Sequence, residues 1–370
     1  MANVVLYRKY RPQSYSEITG QEHIVQTLKN AVHMDLLSHA YLFSGPRGSG
    51  KTTIARILAK AVNCKNPKQG EPCNTCDACE EINQGRAMDF IEIDAASNRG
   101  IDEIRDLKEG IKFAPTTLKY KVYVIDEAHQ LTKEAANALL KTLEEPPAHA
   151  MFILATTEVH RMIPTIVSRT QRFDFRKLSV EEITKRLEGI AKKEKVKIEK
   201  SALELIALNA GGALRDAESL LDKVLTFHHG SDIITSEAIK ELLNIVDIDS
   251  VSEFVELLAE RKAAAAIDFL NNKLQEGTDP QELAKNIVQY LRQVLILKIN
   301  PDLEKTLVVG FTKEQIEKIG ELTKKFEEKQ LAQIVEHFMQ AEQKMKYASI
   351  IQLPLELAII DSCITKKEQK

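Results

Sequence analysis

The run Tyr41-Leu42-Phe43-Ser44-Gly45-Pro46-Arg47-Gly48-Ser49-Gly50-Lys51-Thr52-Thr53 sets a short apolar strand against a glycine-rich turn, and the turn against a helix start. Its spacing, Gly45-x4-Gly50-Lys51-Thr52 behind a strand, is a complete phosphate-binding loop in the required strand–loop–helix setting. The glycines let the backbone wrap an anion and aim successive N–H groups at its oxygens. The helix that follows is expected over about 50–62, with apolar positions at 54, 57, 58 and 61, and it adds its positive end. Lys51 is expected to reach the β- and γ-phosphates of ATP and the Thr52 hydroxyl to ligate Mg²⁺, with Pro46, Arg47, Ser49 and Thr53 completing the loop. The bland alternative is a glycine-rich turn with no ligand.

Working outward, Phe90-Ile91-Glu92-Ile93, Val122-Tyr123-Val124-Ile125 and Met151-Phe152-Ile153-Leu154 read as further buried strands. They alternate with helical stretches, the pattern of an α/β unit whose ligands sit at the carboxyl ends of a parallel sheet. Asp126 ends one strand and is placed to coordinate Mg²⁺ through water. Glu127 follows as the group to polarise an attacking water. Two acids after a strand can also cap a helix, but beside a phosphate loop they argue for hydrolysis over storage. Thr156, in Leu154-Ala155-Thr156-Thr157, is a candidate to sense the γ-phosphate, or an ordinary strand-end threonine. Arg215, in Gly211-Gly212-Ala213-Leu214-Arg215-Asp216, is a candidate to reach back onto the phosphates, or a surface charge.

The chain has 370 residues, which is long for one core, and a formal net charge of -3, which excludes only a uniformly basic surface. Three regions separate: a nucleotide-binding domain over 1–178, a small helical domain over 179–243, and an all-helical region over 244–365 with a charged tail at 366–370. Helices are expected at 179–194, 200–208, 213–228 and 235–243. The N-terminus meets Tyr7-Arg8-Lys9-Tyr10-Arg11 before any long apolar run, and no stretch reaches membrane-spanning length, so a cytoplasmic location without membrane contact is expected. In that reducing setting Cys64-x8-Cys73-x2-Cys76-x2-Cys79 points to metal rather than disulfides. Four thiolates favour a tetrahedral structural Zn²⁺ in an insertion over 64–79; an iron–sulfur role has no redox partner motif beside it. Cys363 stands alone.

Taken together, Leu6-Tyr7-Arg8-Lys9-Tyr10-Arg11-Pro12, Ile18-Thr19-Gly20-Gln21, the 45–52 loop, the four cysteines, Ala95-Ala96-Ser97-Asn98-Arg99-Gly100, Leu139-Leu140-Lys141-Thr142-Leu143-Glu144-Glu145-Pro146-Pro147, Ser168-Arg169 and Gly212-Ala213-Leu214-Arg215-Asp216 resemble the gamma/tau family of bacterial DNA polymerase III. That family belongs to the AAA+ ATPases and drives the replicative clamp loader. The likeness is strong over the first 220 residues; beyond them the helices fit the family's oligomerising collar by architecture.

The resemblance implies that Tyr7, Arg11 and the Ile18–Gln21 segment wrap the adenine, that Arg215 is the sensor of the helical lid, and that Arg169 is a finger reaching a neighbouring subunit's ATP. The finger is commonly followed by Cys-Gln in the family; here Thr170-Gln171 follows. It also implies partners: delta and delta-prime subunits, further copies of the chain, a sliding clamp and primer–template DNA. Contact with DNA would run through phosphates, with Arg99, Arg105 and Lys141 as candidates, each equally readable as a solvated surface charge. Helicase and polymerase contacts belong to regions of the tau form beyond residue 370. No paired-carboxylate polymerase pattern is present, so any polymerase or transferase label would describe the holoenzyme. Two other readings stay open: a different AAA+ motor of DNA metabolism, such as a Holliday-junction helicase, or a protein remodeller, and a nucleotide-binding scaffold without turnover.

Overall fold

The computed structural model describes residues 4–97, 109–227, 233–242, 248–301 and 313–363. The chain forms two compact units, Met1–Ser236 and Glu237–Lys370.

In the first unit five strands, β1 (Ala40–Ser44), β2 (Phe90–Asp94), β3 (Lys121–Asp126), β4 (Ala150–Thr156) and β5 (Gln171–Asp174), form one parallel sheet in the order β2-β3-β4-β1-β5. Every residue of β1 and β4 is buried, as a parallel sheet covered on both faces requires. Alternation sorts the side chains. Tyr41, Phe43, Val124 and Ile153 pack with Ile24 and Leu28 of the helix Glu22–His33 and with Ile54, Ile57 and Leu58 of the helix Lys51–Asn63. Leu42, Ile125, Phe152 and Leu154 pack with Ala135, Leu139 and Leu143 of the helix Lys133–Glu144 on the other face. The period-2 division is the expected one for strands between two helical layers. The strand β5 lies outside the four read from apolar runs. Its Phe173 is buried among exposed polar neighbours, so nothing apolar announces it.

Register brings the strand ends together. Ser44 lies beside Thr156, and Asp126 follows Ile125, whose partner is Leu154. Three further helices in this unit, Val180–Lys193, Lys200–Asn209 and Leu214–Phe227, fall close to the expected spans. The first starts in a capping box: Ser179 Oγ accepts the Glu182 N–H, and Glu182 accepts the Ser179 N–H at 2.8 Å. Arg176 grips the same carboxylate through two bonds of 2.8 and 2.6 Å, which together with the cap pulls Glu182 down to about 2.

The second unit is helical: Ile248–Ala259, Ala263–Gln275, Pro280–Ile299, Lys313–Lys325, Glu328–Met345 and Leu353–Cys363. Phe254, Leu258, Leu270 and Leu291 are buried in its own core with Ile334, Phe338 and Ile359, and Leu257 and Ile267 pack against them. These apolar repeats therefore serve the unit itself. The apolar side chains it leaves exposed include Tyr347, Ile350, Ile351, Leu353 and Leu357, within one short stretch. Cys363 is buried. Among the described residues no helix is long and apolar enough to cross a membrane.

Candidate functional site

The phosphate loop leaves β1 and doubles back tightly. Gly48 has φ +75°, and a β-carbon there would lie 2.9 Å from the Ala213 methyl, so only glycine lets the loop and the start of the Leu214–Phe227 helix approach this closely. The helix Lys51–Asn63 begins at the loop's end. Lys51 is buried, and its Nζ donates to the carbonyls of Gly45 (2.8 Å) and Pro46 (2.9 Å). Burial lowers its pKa. An anion seated in the loop can replace those carbonyls as its partner.

Across the sheet edge, Thr52 Oγ1 donates to Asp126 Oδ2 at 2.8 Å, so the two expected Mg²⁺ ligands already touch. The other Asp126 oxygen accepts the Glu127 N–H at 2.9 Å. Glu127 sits at φ +48°, a left-handed conformation costly for a non-glycine residue and concentrated at functional sites. Thr157 Oγ1 donates to Glu127 Oε2 at 3.0 Å. Thr156, fully buried, is engaged instead by His129 Nδ1 (3.0 Å) and by the Glu158 N–H (3.0 Å). His129 Nδ1 also lies 3.5 Å from Glu127 and its Nε2 3.4 Å from Glu158. Thr157, rather than Thr156, therefore meets the acid, with a buried histidine between the two strand ends. In sequence His129 carries one faint signal, its place two residues after Glu127.

Of these groups Lys51, Thr52, Asp126 and Glu127 border a cavity of about 630 Å³, within the range of small-molecule sites, whereas Thr156, Thr157 and His129 lie outside its lining. Its walls include Tyr7, Arg11, Ile18, Arg47, Gly48, Ser49, Gly50, Lys51, Thr52, Thr53, Asp126, Glu127 and Arg215. The Arg215 guanidinium lies 4.7 Å from the centre of the Tyr7 ring, and a hydrogen bond from Arg215 lowers the Tyr7 pKa. Arg11 Nε donates to Thr53 Oγ1 at 3.3 Å, and burial holds Arg11 down to about 10. The segment after it is pinned at Gln21, whose amide exchanges bonds with the Arg176 backbone (2.7 and 3.2 Å). Thr19, within the Ile18–Gln21 segment, also lines the cavity, as do Gln13, Asn83 and Glu218, which carry no signal in sequence. Glu218 is pushed up to about 7 by burial, against the pull of Arg186 at 3.5 Å.

Arg169 lies outside this cavity lining. Its guanidinium pairs with Glu144 at 2.8 Å and donates to the Thr165 carbonyl at 3.0 Å. Lys141 is exposed on the helix Lys133–Glu144. Arg99 and Arg105 lie outside the described residues.

The four cysteines converge: the sulfurs of Cys64, Cys73, Cys76 and Cys79 all lie within 4.8 Å of one another. Tetrahedral zinc with Zn–S near ~2.3 Å needs sulfurs about 3.8 Å apart, so the set fits with small closure. The Cys73 N–H donates to Cys64 Sγ at 3.2 Å, the kind of bond that supports a thiolate. Backbone hydrogen bonding from Thr75 pulls Cys73 down to about 6, while burial pushes Cys79 up.

Comparison with known proteins covers nearly the whole chain. Residues 20–179 match the family model described as DNA polymerase III, delta subunit. Residues 182–230 match the clamp loader subunit ATPase lid domain, and residues 234–369 match domain III of DNA polymerase III subunits gamma and tau. The chain is 43% identical over 369 residues to the Bacillus subtilis protein called DNA polymerase III subunit tau, covering 100% of this chain and 64% of that one. It is 38% identical to the Buchnera aphidicola protein called DNA polymerase III subunit gamma, covering 87% and 88% respectively. The chain spans less than two thirds of the length of the tau-named relatives it matches first. Among solved structures, Thermotoga maritima RuvB superposes with a TM-score of 0.50 at 21% identity, over 68% of this chain and 80% of that one, a likeness of fold.

Proposed function

Because the chain belongs to the gamma/tau family of DNA polymerase III, the AAA+ clamp-loader ATPases, we propose that it is an ATP-driven motor subunit that opens a sliding clamp and sets it on primed DNA. One observation carries the reading: Lys51, the Thr52–Asp126 pair, Glu127 and Arg215 border a single cavity.

In this reading the loop N–H groups and Lys51 hold the phosphates, while Tyr7, Arg11 and Ile18 enclose the base. Thr52 and Asp126 would hold Mg²⁺, which when bound neutralises charge on the β- and γ-phosphates. Glu127, held by Thr157, orients a water and takes its proton. His129 holds Thr156 at the same strand edge. Arg215 couples the angle of the lid helices to the occupied cavity, because its guanidinium already rests on Tyr7. Arg169 reaches across to a neighbouring subunit, where a delivered cation stabilises charge on the transferring phosphoryl. The cysteines would hold one Zn²⁺ that closes their loop around a metal core.

The partners in this reading are delta and delta-prime subunits, further copies of this chain, the clamp and primer–template DNA, with Arg99, Arg105 and Lys141 set against DNA phosphates. The domain division at 178, 243 and 365 belongs to the same reading, with residues 244–365 as the collar. The exposed side chains of Tyr347, Ile350, Ile351, Leu353 and Leu357 support assembly through that part. ATP turnover measured with delta, delta-prime, clamp and primed DNA tests it. Stimulation by clamp and primed DNA together is expected; turnover indifferent to both would overturn it and favour another motor of DNA metabolism.

A further inference from the structure

We propose that the four-cysteine insertion is a strut for the base-side wall of the nucleotide cavity, with Lys60, Asn74 and Glu71 as the positioning residues that carry its support. The inference rests on the readings that the cavity takes ATP and the cysteines take zinc.

The geometry begins with the helix Lys51–Asn63, which starts at the phosphate loop and ends one residue before Cys64. Lys60, on its last turn, is 1% exposed. Its Nζ donates to the Gln13 carbonyl (2.7 Å), to Gln13 Oε1 (3.0 Å) and to Asn74 Oδ1 (2.8 Å). One buried ammonium thus bridges the cavity-lining N-terminal segment and the turn between Cys73 and Cys76. Asn74 sits there at φ +57°, a conformation asparagine tolerates and most residues do not. A buried ammonium that loses one of its three acceptors must be satisfied again within a confined space, so the turn's position matters to Gln13.

A second tie is independent of the first. Glu71 Oε2 accepts the Tyr15 N–H at 2.9 Å, and Glu71 Oε1 pairs with Lys29 at 3.2 Å. Beside it, a β-carbon on Gly70 would stand 2.3 Å from the Lys29 carbonyl, so the insertion is pressed against the helix Glu22–His33. The helix Asp77–Asn83, which carries Cys79, presents its last residue to the same cavity that Gln13 lines. Between Gln13 and Ile18, then, the wall facing the base leans on the insertion at two places. Four cysteines in a loop with little apolar content of its own cannot hold those contacts in register without a cross-link.

The test measures ATP affinity by calorimetry on the isolated full chain, without Mg²⁺ so that no turnover intervenes. Parent and Glu71→Ala/Asn74→Gly chains are each compared before and after zinc removal, with elemental analysis of every sample; glycine removes the Asn74 side chain and keeps its backbone conformation. Stripping the parent should weaken binding about 3–10-fold, part of the worth of a charge-assisted hydrogen bond. The double variant should keep one zinc and bind as weakly as the stripped parent, and stripping it should add nothing. Asn74→Asp, which keeps an acceptor for Lys60, should bind like the parent. Amide exchange over residues 11–18 should quicken in the stripped parent and in the zinc-loaded double variant alike. A zinc-loaded double variant that binds ATP within about twofold of the parent overturns the proposal; it does not depend on a stripped chain staying folded. A parent that binds no ATP, or holds no zinc, overturns the readings beneath it instead.

Discussion

Replacing Arg169 by alanine should silence the assembled motor and leave the lone chain almost untouched. In the structure the guanidinium is held by Glu144 at 2.8 Å, with the two side chains 35% and 49% exposed, and by the Thr165 carbonyl at 3.0 Å. A half-exposed ion pair is worth about 0–1 kcal/mol, and the carbonyl bond about 0.5–1.5 kcal/mol, much of it returned by water. Freeing Arg169 to reach a neighbour therefore costs about 1–2 kcal/mol, a factor of about 5–30. A cation delivered to a transferring phosphoryl changes turnover by about 10³–10⁵-fold in GTPases, which serves as an upper guide. Set against that cost, the surplus leaves a loss of about 30-fold to 10⁴-fold on assembled, DNA-stimulated turnover. ATP affinity of the isolated Arg169→Ala chain should stay within about twofold, because Lys51, Thr52 and Arg215 remain. Glu144→Ala, which only frees the guanidinium, should raise assembled turnover by no more than about fivefold. The assay compares monomeric and assembled chains, then mixes Arg169→Ala with Lys51→Ala chains, where an intact loop facing an intact finger should recover turnover. If monomeric Arg169→Ala loses the parent's basal hydrolysis to the same degree as the assembled form, the arginine works on its own ATP and the reasoning fails.

Lys51→Ala and Asp126→Ala should each lower turnover at least ~100-fold with native circular dichroism; a rate near the parent's on folded protein contradicts the site. Elemental analysis of protein purified without chelators should find one zinc per chain, lost on Cys73→Ser; iron, or no metal, refutes the assignment. Glu182 has its carboxyl pulled from the usual 4.5 down to about 2, so its stabilisation is whole above pH 4.5 and drains away as pH falls through about 2. Glu182→Gln should cost about 1 kcal/mol at pH 7, read by thermal melting, and the gap should close by about pH 2. A chain ending at residue 243 should bind ATP like the parent and lose stable assembly; light scattering that finds the two in the same state rejects the collar.

The phosphate loop, the acid pair and four strands were legible because each is local: a glycine spacing, two adjacent residues, a continuous apolar run. Parallel strands buried on both faces spell themselves out in sequence, and β1 and β4 do so fully. The strand β5 was not legible, since its one buried residue, Phe173, lies among polar neighbours. Nor was the partner of Glu127, because Thr156 and Thr157 are chemically alike and only the fold decides which hydroxyl faces the acid. Gln13, Asn83 and Glu218 meet only in three dimensions, across separations no local pattern reports. In the helical unit the apolar spacing of Phe254, Leu258 and Leu270 reads equally as core or as partner face, and burial makes it core.

The order of the strands also bears on how the protein is made. The strand β1, which delivers the phosphate loop, pairs with β4 and β5, and these begin only at residues 150 and 171. During synthesis the apolar Tyr41-Leu42-Phe43 therefore waits with both edges open until much of the first unit has left the ribosome. Parallel pairings between such distant segments form late and expose sticky edges meanwhile. The loop that leaves β1 thus belongs to the part of the sheet that closes last, and a nascent chain stalled before residue 150 would carry that apolar strand uncovered.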